Sequence, residues 1–317
     1  MTEYFLGVDG GQTSTTALIG DKDGTVIGSG RGGPINHVGA ADGKAKFVNA
    51  IENCVTEACQ QAGVSRSAIR FRSSCFGFSG GPADKADILK GLLTSERTIV
   101  THDALIALTG ATDGEPGLIT IAGTGSIAFG RGASGEAVRA GGWGYLFGDE
   151  GGGFYITRQA LRAALRFEEG WGSPTSLRPA LLDATGSKNV NELLHRFYTS
   201  EFPRPRVAGF AKLVDQEAEN GDQTARDILA EAGQQLAGIA SAVHDQLFDD
   251  GVPVRVAYIG GVFRSSIVLA TFRRIVEAVE GNQVRPPVHG PAAGALLESY
   301  RAAGISCKLS NVPEEKQ

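Results

Sequence analysis

The stretch Tyr4-Phe-Leu-Gly-Val-Asp-Gly-Gly-Gln-Thr-Ser-Thr-Thr-Ala-Leu-Ile-Gly20 decides the fold of this chain. Two strand-like runs flank a short turn that contains Gly10 and Gly11, and this pattern predicts a β-hairpin. Because the glycines have no Cβ, their backbone amides can approach a bulky anion closely. The hydroxyls of Thr13 and Ser14 add hydrogen-bond donors. The stretch is therefore either an ordinary tight hairpin or an anion-binding turn.

Asp9 stands at the end of the first run, where its carboxylate would lie beside an anion held by the turn. A cation is needed to reconcile the two negative charges, and Mg²⁺ usually binds one or two carboxylates together with phosphate oxygens. We therefore predict that Asp9 helps to hold Mg²⁺. The contact is expected to run through a bound water, because Mg²⁺ loses its hydration shell reluctantly.

Two later segments repeat the design of a strand followed by a glycine turn. Residues 117–130 read as a strand, a Gly-Thr-Gly-Ser turn and a second strand, whereas residues 254–262 read as a strand and paired glycines that lead into a helix. Neither segment matches G-x-x-x-x-G-K-[ST] or a strand–G-x-G-x-x-G–helix unit, so the patterns exclude P-loop and Rossmann nucleotide sites. Two phosphate-type hairpins and a glycine turn beneath a helix resemble the actin, hexokinase and Hsp70 ATPase superfamily.

That resemblance implies an α/β fold of two actin-like (ribonuclease H-like) domains, with a nucleotide and sugar cleft between the domains. In the superfamily the two hairpins face each other across the cleft and clasp the nucleotide phosphates. We place the N-terminal domain at residues 1–112 and the C-terminal domain, with its helical insertions, at residues 113–317. The last helix is the one element that could pack back on the first domain.

The size and composition fit two such domains. The chain has 317 residues, of which 42% are hydrophobic and 21% are charged, as in soluble globular proteins. The net charge of −5, without a basic block, argues against nucleic acid as a partner. No apolar run approaches the roughly 20 residues that a membrane span needs, and the first residues lead directly into a strand. We therefore expect a cytoplasmic protein that acts without a membrane.

The hydrophobic pattern predicts the order β-β-β-α-β-α-β-α for the first domain. In the second domain the hairpin is followed by a glycine-dense loop at 141–153, a helix at 154–169, helical insertions at 176–250, a strand at 254–259 and helices at 265–280 and 292–303. The polar end of the chain, residues 308–317, is expected to fray.

Two polar positions in the first domain could carry chemistry. Asp103 follows a short predicted strand, where it could accept a proton from a phosphoryl-acceptor hydroxyl or could N-cap the helix that begins at Ala104. Asn36-His37 lies in a loop without a packing pattern. The amide of Asn36 offers both a donor and an acceptor to sugar hydroxyls, and polar loop filler is the alternative.

The glycine-dense loop of the second domain holds further candidates. Trp143 stands among glycines, where its indole could form a wall of a ligand pocket or pack against a neighbouring helix. Asp149 and Glu150 precede the helix predicted from Phe154. One of these carboxylates could cap that helix, and the other could receive a sugar hydroxyl.

Five short motifs occur in order along the chain: Asn36-His37, Ser79-Gly-Gly81, Thr101-His-Asp103, Gly123-Thr-Gly-Ser126 and Gly141-Gly-Trp-Gly-Tyr-Leu-Phe-Gly-Asp-Glu-Gly151. Together they resemble the N-acetylglucosamine kinases of the BadF/BadG/BcrA/BcrD-type ATPase family. The resemblance runs from Gly7 to about Leu297. Two positions depart from it: Val38 replaces a bulky aromatic residue of the vertebrate-type enzymes, and Gly152 replaces the usual serine.

The resemblance also implies roles for individual residues. It makes Asp103 the catalytic base. The implied sugar site consists of Asn36, His37, Ser79, Gly80, Asp103, Gly142, Trp143, Gly144 and Asp149. The implied ATP contacts are Gly10, Gly11, Gln12, Thr13, Gly123, Thr124, Gly125, Ser126, Ala208, Gly260 and Gly261. The cofactors are then ATP and Mg²⁺, with Asp9 as the metal ligand, and the family suggests a homodimer.

Three functions compete at this point. The first is ATP-dependent phosphorylation of the 6-hydroxyl of N-acetylglucosamine, and the second is a kinase for N-acetylmuramic acid or glucosamine. The third is an ATPase that switches conformation for a partner protein. The loop at 141–151 and a base at Asp103 favour the kinases, because a partner-binding ATPase has no need for Asn36 and Trp143 in a ligand site.

Overall fold

Two five-stranded sheets carry the fold of the described residues. The computed structural model describes residues 3–35, 42–78 and 85–314. The strands are β1 (Tyr4–Gly10), β2 (Thr15–Gly20), β3 (Val26–Gly32), β4 (Phe71–Phe78), β5 (Thr98–His102), β6 (Gly117–Ala122), β7 (Ser126–Arg131), β8 (Ala137–Gly141), β9 (Val254–Ile259) and β10 (Asn282–Arg285). Their order is β3-β2-β1-β4-β5 in the first sheet and β10-β9-β6-β7-β8 in the second.

Helices surround both sheets. In chain order they are α1 (Gly43–Gln61), α2 (Ala86–Leu92), α3 (Asp103–Ala111), α4 (Gly153–Glu168), α5 (Leu177–Thr185), α6 (Val190–Phe197), α7 (Arg204–Gly209), α8 (Ala211–Glu219), α9 (Gln223–Leu247), α10 (Ser266–Val276) and α11 (Pro291–Ala302). A 3₁₀ turn, Gly261–Arg264, precedes α10.

The first sheet begins as an antiparallel meander, β1 to β3, and continues with β4 and β5, which run parallel to β1. Helix α1 covers one face because Phe47, Ile51 and Val55, spaced one helical turn apart, are fully buried. In the described residues of this part of the chain the elements follow the predicted order β-β-β-α-β-α-β-α.

The second sheet has the same topology as the first. Strands β6 to β8 form an antiparallel meander, and β9 and β10 run parallel to β6. This repetition agrees with the fold of two actin-like domains that the resemblance implied. Strands β8 and β10 were not predicted, because both are short edge strands with few buried apolar residues.

The chain divides into a first unit, Met1–Glu115 with Pro287–Gln317, and a second unit, Pro116–Pro286. The sequence placed residues 113–317 in one domain, with the last helix as the possible exception, so the assignment of 287–317 differs. Two glycines explain the difference. A Cβ at Gly7 of β1 would lie 2.6 Å from the Cα of Leu296, and one at Gly294 would lie 2.5 Å from the backbone nitrogen of Gly110. Helix α11 therefore packs directly on backbone of the first unit.

Residues 309–312 are packed and hydrogen-bonded, which corrects the expectation that residues 308–317 fray as a whole; residues 315–317 lie outside the described residues. Ser310 forms a β-bridge with Thr25, and its carbonyl oxygen accepts a 2.9 Å hydrogen bond from the Val26 N–H. Leu309 and Val312 pack against the buried cluster around Phe5. Within the described residues, no helix has the length and apolar character needed to cross a bilayer.

Candidate functional site

The first turn (residues 10–14) joins β1 to β2 and is closed by a hydrogen bond from the Gly11 N–H to the Ser14 carbonyl, at 3.0 Å. The side chains of Gln12, Thr13 and Ser14 are exposed. A Cβ at Gly10 would lie 2.5 Å from the buried ring of Phe78, so packing beneath the turn requires this glycine. The turn therefore exposes the polar side chains of residues 12–14 to solvent, while Gly10 beneath them is tightly packed on Phe78.

Asp9 and Asp103 lie at the same edge of the first sheet. Gly10, Phe78 and His102 are aligned in register at the carboxyl ends of the parallel strands β1, β4 and β5. Asp9 is half-buried one residue before the end of β1, and Asp103 is exposed immediately after β5. Strands β1 and β5 are two strand spacings apart, about 10 Å. Carboxyl ends of parallel strands are where ligands bind in open α/β sheets.

Asp103 does not cap helix α3. It is the first helical residue, and the N-cap is His102, whose Nδ1 accepts a hydrogen bond from the Leu105 N–H at 3.2 Å. His102 therefore has a structural role, and the alternative interpretation of Asp103 as the cap is wrong. A carboxylate in the first turn of a helix is still stabilised by the helix dipole. The other sugar-site residues predicted for this unit, Asn36, His37, Ser79 and Gly80, lie outside the described residues.

The second turn (residues 123–126) joins β6 to β7 and is fixed to the start of α4. The Gly123 carbonyl accepts a hydrogen bond from the Gly153 N–H at 2.8 Å, and the Thr124 carbonyl accepts one from the Phe154 N–H at 3.1 Å. Two of the amides that every helix leaves unpaired at its N-terminus are thus satisfied by the turn. The N-cap of α4 is Gly152, without a side-chain bond, so neither Asp149 nor Glu150 caps this helix.

A cavity of about 520 Å³ lies beside the second turn. Gly123, Thr124, Ala208 and Gly261, all predicted to contact ATP, form part of its wall. The volume lies within the range of about 300–1,000 Å³ that is typical of small-molecule sites. The structure therefore brings four of the residues predicted to contact ATP, from three separate segments of the chain, to one cavity.

Three features of this region were not apparent from the sequence. Among the described residues, Lys212 and Arg264 line the cavity beside one acidic residue, Asp215, so two cations and one carboxylate meet there, although each cation is an isolated basic residue in the sequence. Gly260, which was predicted to contact ATP, has a φ of 115° and is not among the described residues that line the cavity. A Cβ there would lie 2.6 Å from the carbonyl carbon of Ala122, so Gly260 permits close contact between the ends of β9 and β6.

The glycine loop (residues 141–149) touches the second turn at two points. The Gly142 N–H donates a 3.0 Å hydrogen bond to the carbonyl of Ser126. At the other end of the loop, Asp149 is only 5% exposed, and a Cβ at Gly125 would lie 2.5 Å from its carboxyl carbon. Asp149 also has a positive φ of 63°. The predicted phosphate turn and the predicted sugar loop are therefore in direct contact.

Asp149 has a cationic partner that the sequence did not reveal. The Nη2 of Arg204, the first residue of α7, donates a hydrogen bond to Oδ2 of Asp149. The two residues are 55 positions apart, and no local pattern links them. The carboxylate predicted to bind a sugar hydroxyl is thus held in an ion pair.

Trp143 is 66% exposed, so it does not pack into a neighbouring helix. The guanidinium carbon of Arg139 lies over its indole, 4.7 Å from the ring centroid. Gly142 and Gly144 on either side have φ values of 72° and 84°, a region that favours glycine. An exposed aromatic surface between two such glycines remains consistent with a wall of a ligand site.

Comparison with known proteins identifies relatives along most of the chain. Residues 6–299 match the model of the BadF/BadG/BcrA/BcrD ATPase family. The N-acetylmuramic acid/N-acetylglucosamine kinase of Clostridium acetobutylicum is 31% identical over 268 residues, which cover 83% of this chain and 86% of that protein. The N-acetyl-D-glucosamine kinase of Dictyostelium discoideum is 27% identical over 309 residues, which cover 93% and 97%.

A solved structure of a candidate N-acetylglucosamine kinase from Chromobacterium violaceum matches with a TM-score of 0.71 and 29% identity, covering 93% of this chain and 98% of that one. These relatives confirm the predicted two-domain α/β fold and the predicted class of enzyme, a kinase. They also confirm the resemblance that the five motifs indicated. The chain belongs to the BadF/BadG/BcrA/BcrD ATPase family.

Proposed function

We propose that this protein is an ATP-dependent kinase that phosphorylates the 6-hydroxyl of N-acetylglucosamine. One observation carries the proposal: the second turn borders a nucleotide-sized cavity and also contacts the glycine loop that holds Asp149. Phosphoryl transfer needs donor and acceptor held side by side, because catalysis of this reaction rests mainly on positioning and electrostatic stabilisation. The names of the relatives point to the same class of substrate.

Different residues are proposed to bind the phosphates and the adenosine of ATP. We assign the phosphates to Gly10, Gly11, Gln12, Thr13, Gly123, Thr124, Gly125 and Ser126, and the adenosine to Ala208, Gly260 and Gly261. Among the described residues, no group of three or more His, Cys, Asp or Glu side chains could hold a metal. One carboxylate, Asp9, combined with phosphate oxygens is a donor set that suits Mg²⁺. When bound, MgATP supplies the phosphoryl group.

Asp103 is assigned as the general base. Its exposed carboxylate at the end of β5 can accept the proton of the sugar hydroxyl as that oxygen attacks phosphorus. We assign the sugar to Asn36, His37, Ser79, Gly80, Gly142, Trp143, Gly144 and Asp149. Backbone amides, an amide side chain and carboxylates together offer the donors and acceptors that sugar hydroxyls need.

N-Acetylmuramic acid is the second candidate substrate, and one observation favours it. The guanidinium of Arg139 lies over Trp143, so a positive charge stands beside the proposed sugar wall. A lactyl carboxylate could pair with this cation. Free glucosamine would instead bring its ammonium towards the same guanidinium, which disfavours it. The relative from Clostridium acetobutylicum has both N-acetylated sugars in its name.

The proposal is tested by a panel of N-acetylglucosamine, N-acetylmuramic acid, glucosamine and glucose with ATP and Mg²⁺, read as ADP release. We expect N-acetylglucosamine to give the highest kcat/KM and glucose a far lower one, because a site that pairs the acetamido group leaves its own partners unpaired with glucose. ATP hydrolysis that no sugar accelerates would instead support the conformational-switch hypothesis. We further propose that the protein is a cytoplasmic homodimer that binds no nucleic acid. Light scattering of the purified protein measures its mass and so tests whether it is a dimer.

A further inference from the structure

Arg204 contacts two segments that are far from it in the sequence, the glycine loop and the second turn. Its Nη2 donates a hydrogen bond to the carboxylate of Asp149, and its guanidinium carbon lies 5.2 Å from the ring centroid of Tyr145. A Cβ at Gly125 would lie 2.8 Å from the same Nη2. One guanidinium therefore touches both the glycine loop and the second turn.

The helix that carries Arg204 also forms part of the cavity wall. Pro205, Ala208 and Gly209 of α7 line the cavity of about 520 Å³. The carbonyl oxygen of Val207 in the same helix accepts a 2.9 Å hydrogen bond from the hydroxyl of Thr157 in α4. Helix α7 is thus tied to α4, and Arg204 is the first residue of a helix that lines the cavity.

The charges of the pair are unequally exposed. Asp149 is buried, whereas the side chain of Arg204 is 38% exposed. A buried carboxylate without a cationic partner would be costly, so the pairing with Arg204 stabilises Asp149 in its buried position and fixes the orientation of its carboxyl group. The Nε of Arg204 is buried and has no hydrogen-bond partner in the described part of the chain. The guanidinium is therefore bonded to Asp149 through Nη2, while its Nε donor is unused within the described residues.

We propose that Arg204 is a positioning residue that couples nucleotide binding to sugar binding. It holds Asp149 and Tyr145 so that the glycine loop has the shape that receives the sugar. Because Arg204 begins α7, a nucleotide in the cavity stabilises this arrangement. Each substrate then strengthens the binding of the other, as linkage requires. The inference rests on the proposed function, in which Asp149 contacts the sugar.

The main variant is Arg204→Met, which keeps the length of the side chain and removes its charge and donors. Arg204→Lys keeps the charge but not the planar guanidinium. The matched control is Arg206→Met. Arg206 lies in the same helix, and its guanidinium also lies over an aromatic ring, that of Phe202 at 4.3 Å, but it bonds the Glu201 carbonyl instead of Asp149.

Sugar binding is measured by calorimetry with N-acetylglucosamine, with and without MgADP. In the wild type we expect MgADP to strengthen sugar binding by about 5–150-fold, the usual range of coupling between sites. Arg204→Met should bring this factor close to one and raise the KM for the sugar about tenfold or more, since it removes a charge-assisted hydrogen bond. Arg204→Lys should restore part of the coupling, and Arg206→Met should behave as the wild type.

A merely structural ion pair would give a different result: a lower melting temperature with an unchanged coupling factor, which would overturn the proposal. Asp149→Asn combined with Arg204→Met provides a further check. If Arg204 acts through Asp149, the double variant should be no worse than the more affected single variant. Effects that add would mean that Arg204 acts by another route.

A readout without sugar separates this inference from the proposed function. Hydrogen exchange of residues 141–149 is followed with MgADP alone. We expect the nucleotide to slow exchange in the wild type and in Arg206→Met, but not in Arg204→Met. If no sugar binds while this contrast is present, the proposed substrate is wrong and the coupling stands. If MgADP slows exchange equally in all three proteins, the coupling is wrong whatever the substrate.

Discussion

The two glycine turns occupy the same position in two sheets of the same topology, yet they are supported differently. The first turn is closed by its own hydrogen bond from Gly11 to Ser14 and is joined to the following loop by one from the Ile35 N–H to the Gly11 carbonyl at 2.9 Å, while its side chains from Gln12 to Ser14 are exposed. The second turn has its carbonyls bonded to the start of α4 and has Gly125 packed on Asp149. The two glycine turns are therefore similar in sequence but differ in the helix and loop residues that pack against them.

The difference suggests a division of roles. The first unit presents carboxylates, Asp9 and Asp103, at the edge that carries the first turn. The second unit presents a braced backbone, in which turn, helix and glycine loop are linked. We infer that the first unit contributes the carboxylates that act in the reaction, Asp9 and Asp103. The second unit then contributes most of the contacts that bind the substrates.

The largest effect is expected on the side of the first unit. Asp103→Asn keeps the shape of the side chain and removes the proton acceptor, so turnover should fall by about 10²–10⁴-fold. Sugar affinity and melting temperature should change far less. Steady-state kinetics with N-acetylglucosamine measure the effect.

The matched control is Asp87→Asn, which alters another acid in the first turn of a first-unit helix, where it pairs with the exposed Lys90. It should leave turnover unchanged. If Asp103→Asn retains a tenth or more of the wild-type turnover, Asp103 is not the base.

The bracing of the second turn predicts a large loss of stability from one added methyl group. Gly125→Ala places a Cβ 2.5 Å from the carboxyl carbon of Asp149 and 2.8 Å from Nη2 of Arg204. Such overpacking should lower the free energy of unfolding by up to about 3 kcal/mol. Gly123→Ala is the control, because a Cβ there meets no atom within 4 Å. Equal melting temperatures for the two variants would contradict the described packing.

The first turn predicts a smaller contrast of the same kind. Gly10→Ala places a Cβ 2.5 Å from the ring of Phe78 and 2.7 Å from the end of the Ile35 side chain, which can partly give way. We expect a loss of about 1–2 kcal/mol. Gly11→Ala, whose Cβ would lie 3.3 Å from the Ser14 carbonyl, should lose less. Thermal melting of both variants measures the contrast, and a larger loss for Gly11→Ala would reverse our account of the turn.

The smallest effect concerns the metal. If Asp9 holds Mg²⁺ through water, Asp9→Ala should raise the Mg²⁺ concentration needed for half-maximal rate more than it raises the sugar KM. Asp23→Ala serves as the control, because Asp23 is an exposed acid paired with Lys22. A Mg²⁺ titration that is the same for Asp9→Ala and the wild type would mean that the metal is held by phosphates alone.

Much of the fold could be predicted because its signals are local. Hydrophobic runs that end in glycines marked β1, β2, β6, β7 and β9, and the pattern of 254–259 matched β9 to the residue. The sequence allowed the last helix to pack back on the first domain, but no local pattern located its contact with β1, because that contact depends on Gly7 meeting Leu296 from a distant part of the chain. Edge strands β8 and β10 lack the apolar pattern that marks a buried strand.

The candidate site divides in the same way. The turns and the glycine loop were visible as motifs, and the structure brings Thr124, Ala208 and Gly261 to one cavity. The pairing of Asp149 with Arg204 was hidden, because an ion pair across 55 residues leaves no periodic trace in a single sequence. His102 as the cap of α3 was hidden by its neighbour Asp103, a more common capping residue.

The most direct test of the central claim is the structure of the product. Incubation with N-acetylglucosamine, ATP and Mg²⁺, followed by ³¹P and ¹³C nuclear magnetic resonance of the sugar, locates the transferred phosphate. Our account predicts a single phosphomonoester on the 6-oxygen, formed in the same amount as ADP. A phosphate on any other oxygen, or ADP formed together with free phosphate and unmodified sugar, would contradict it.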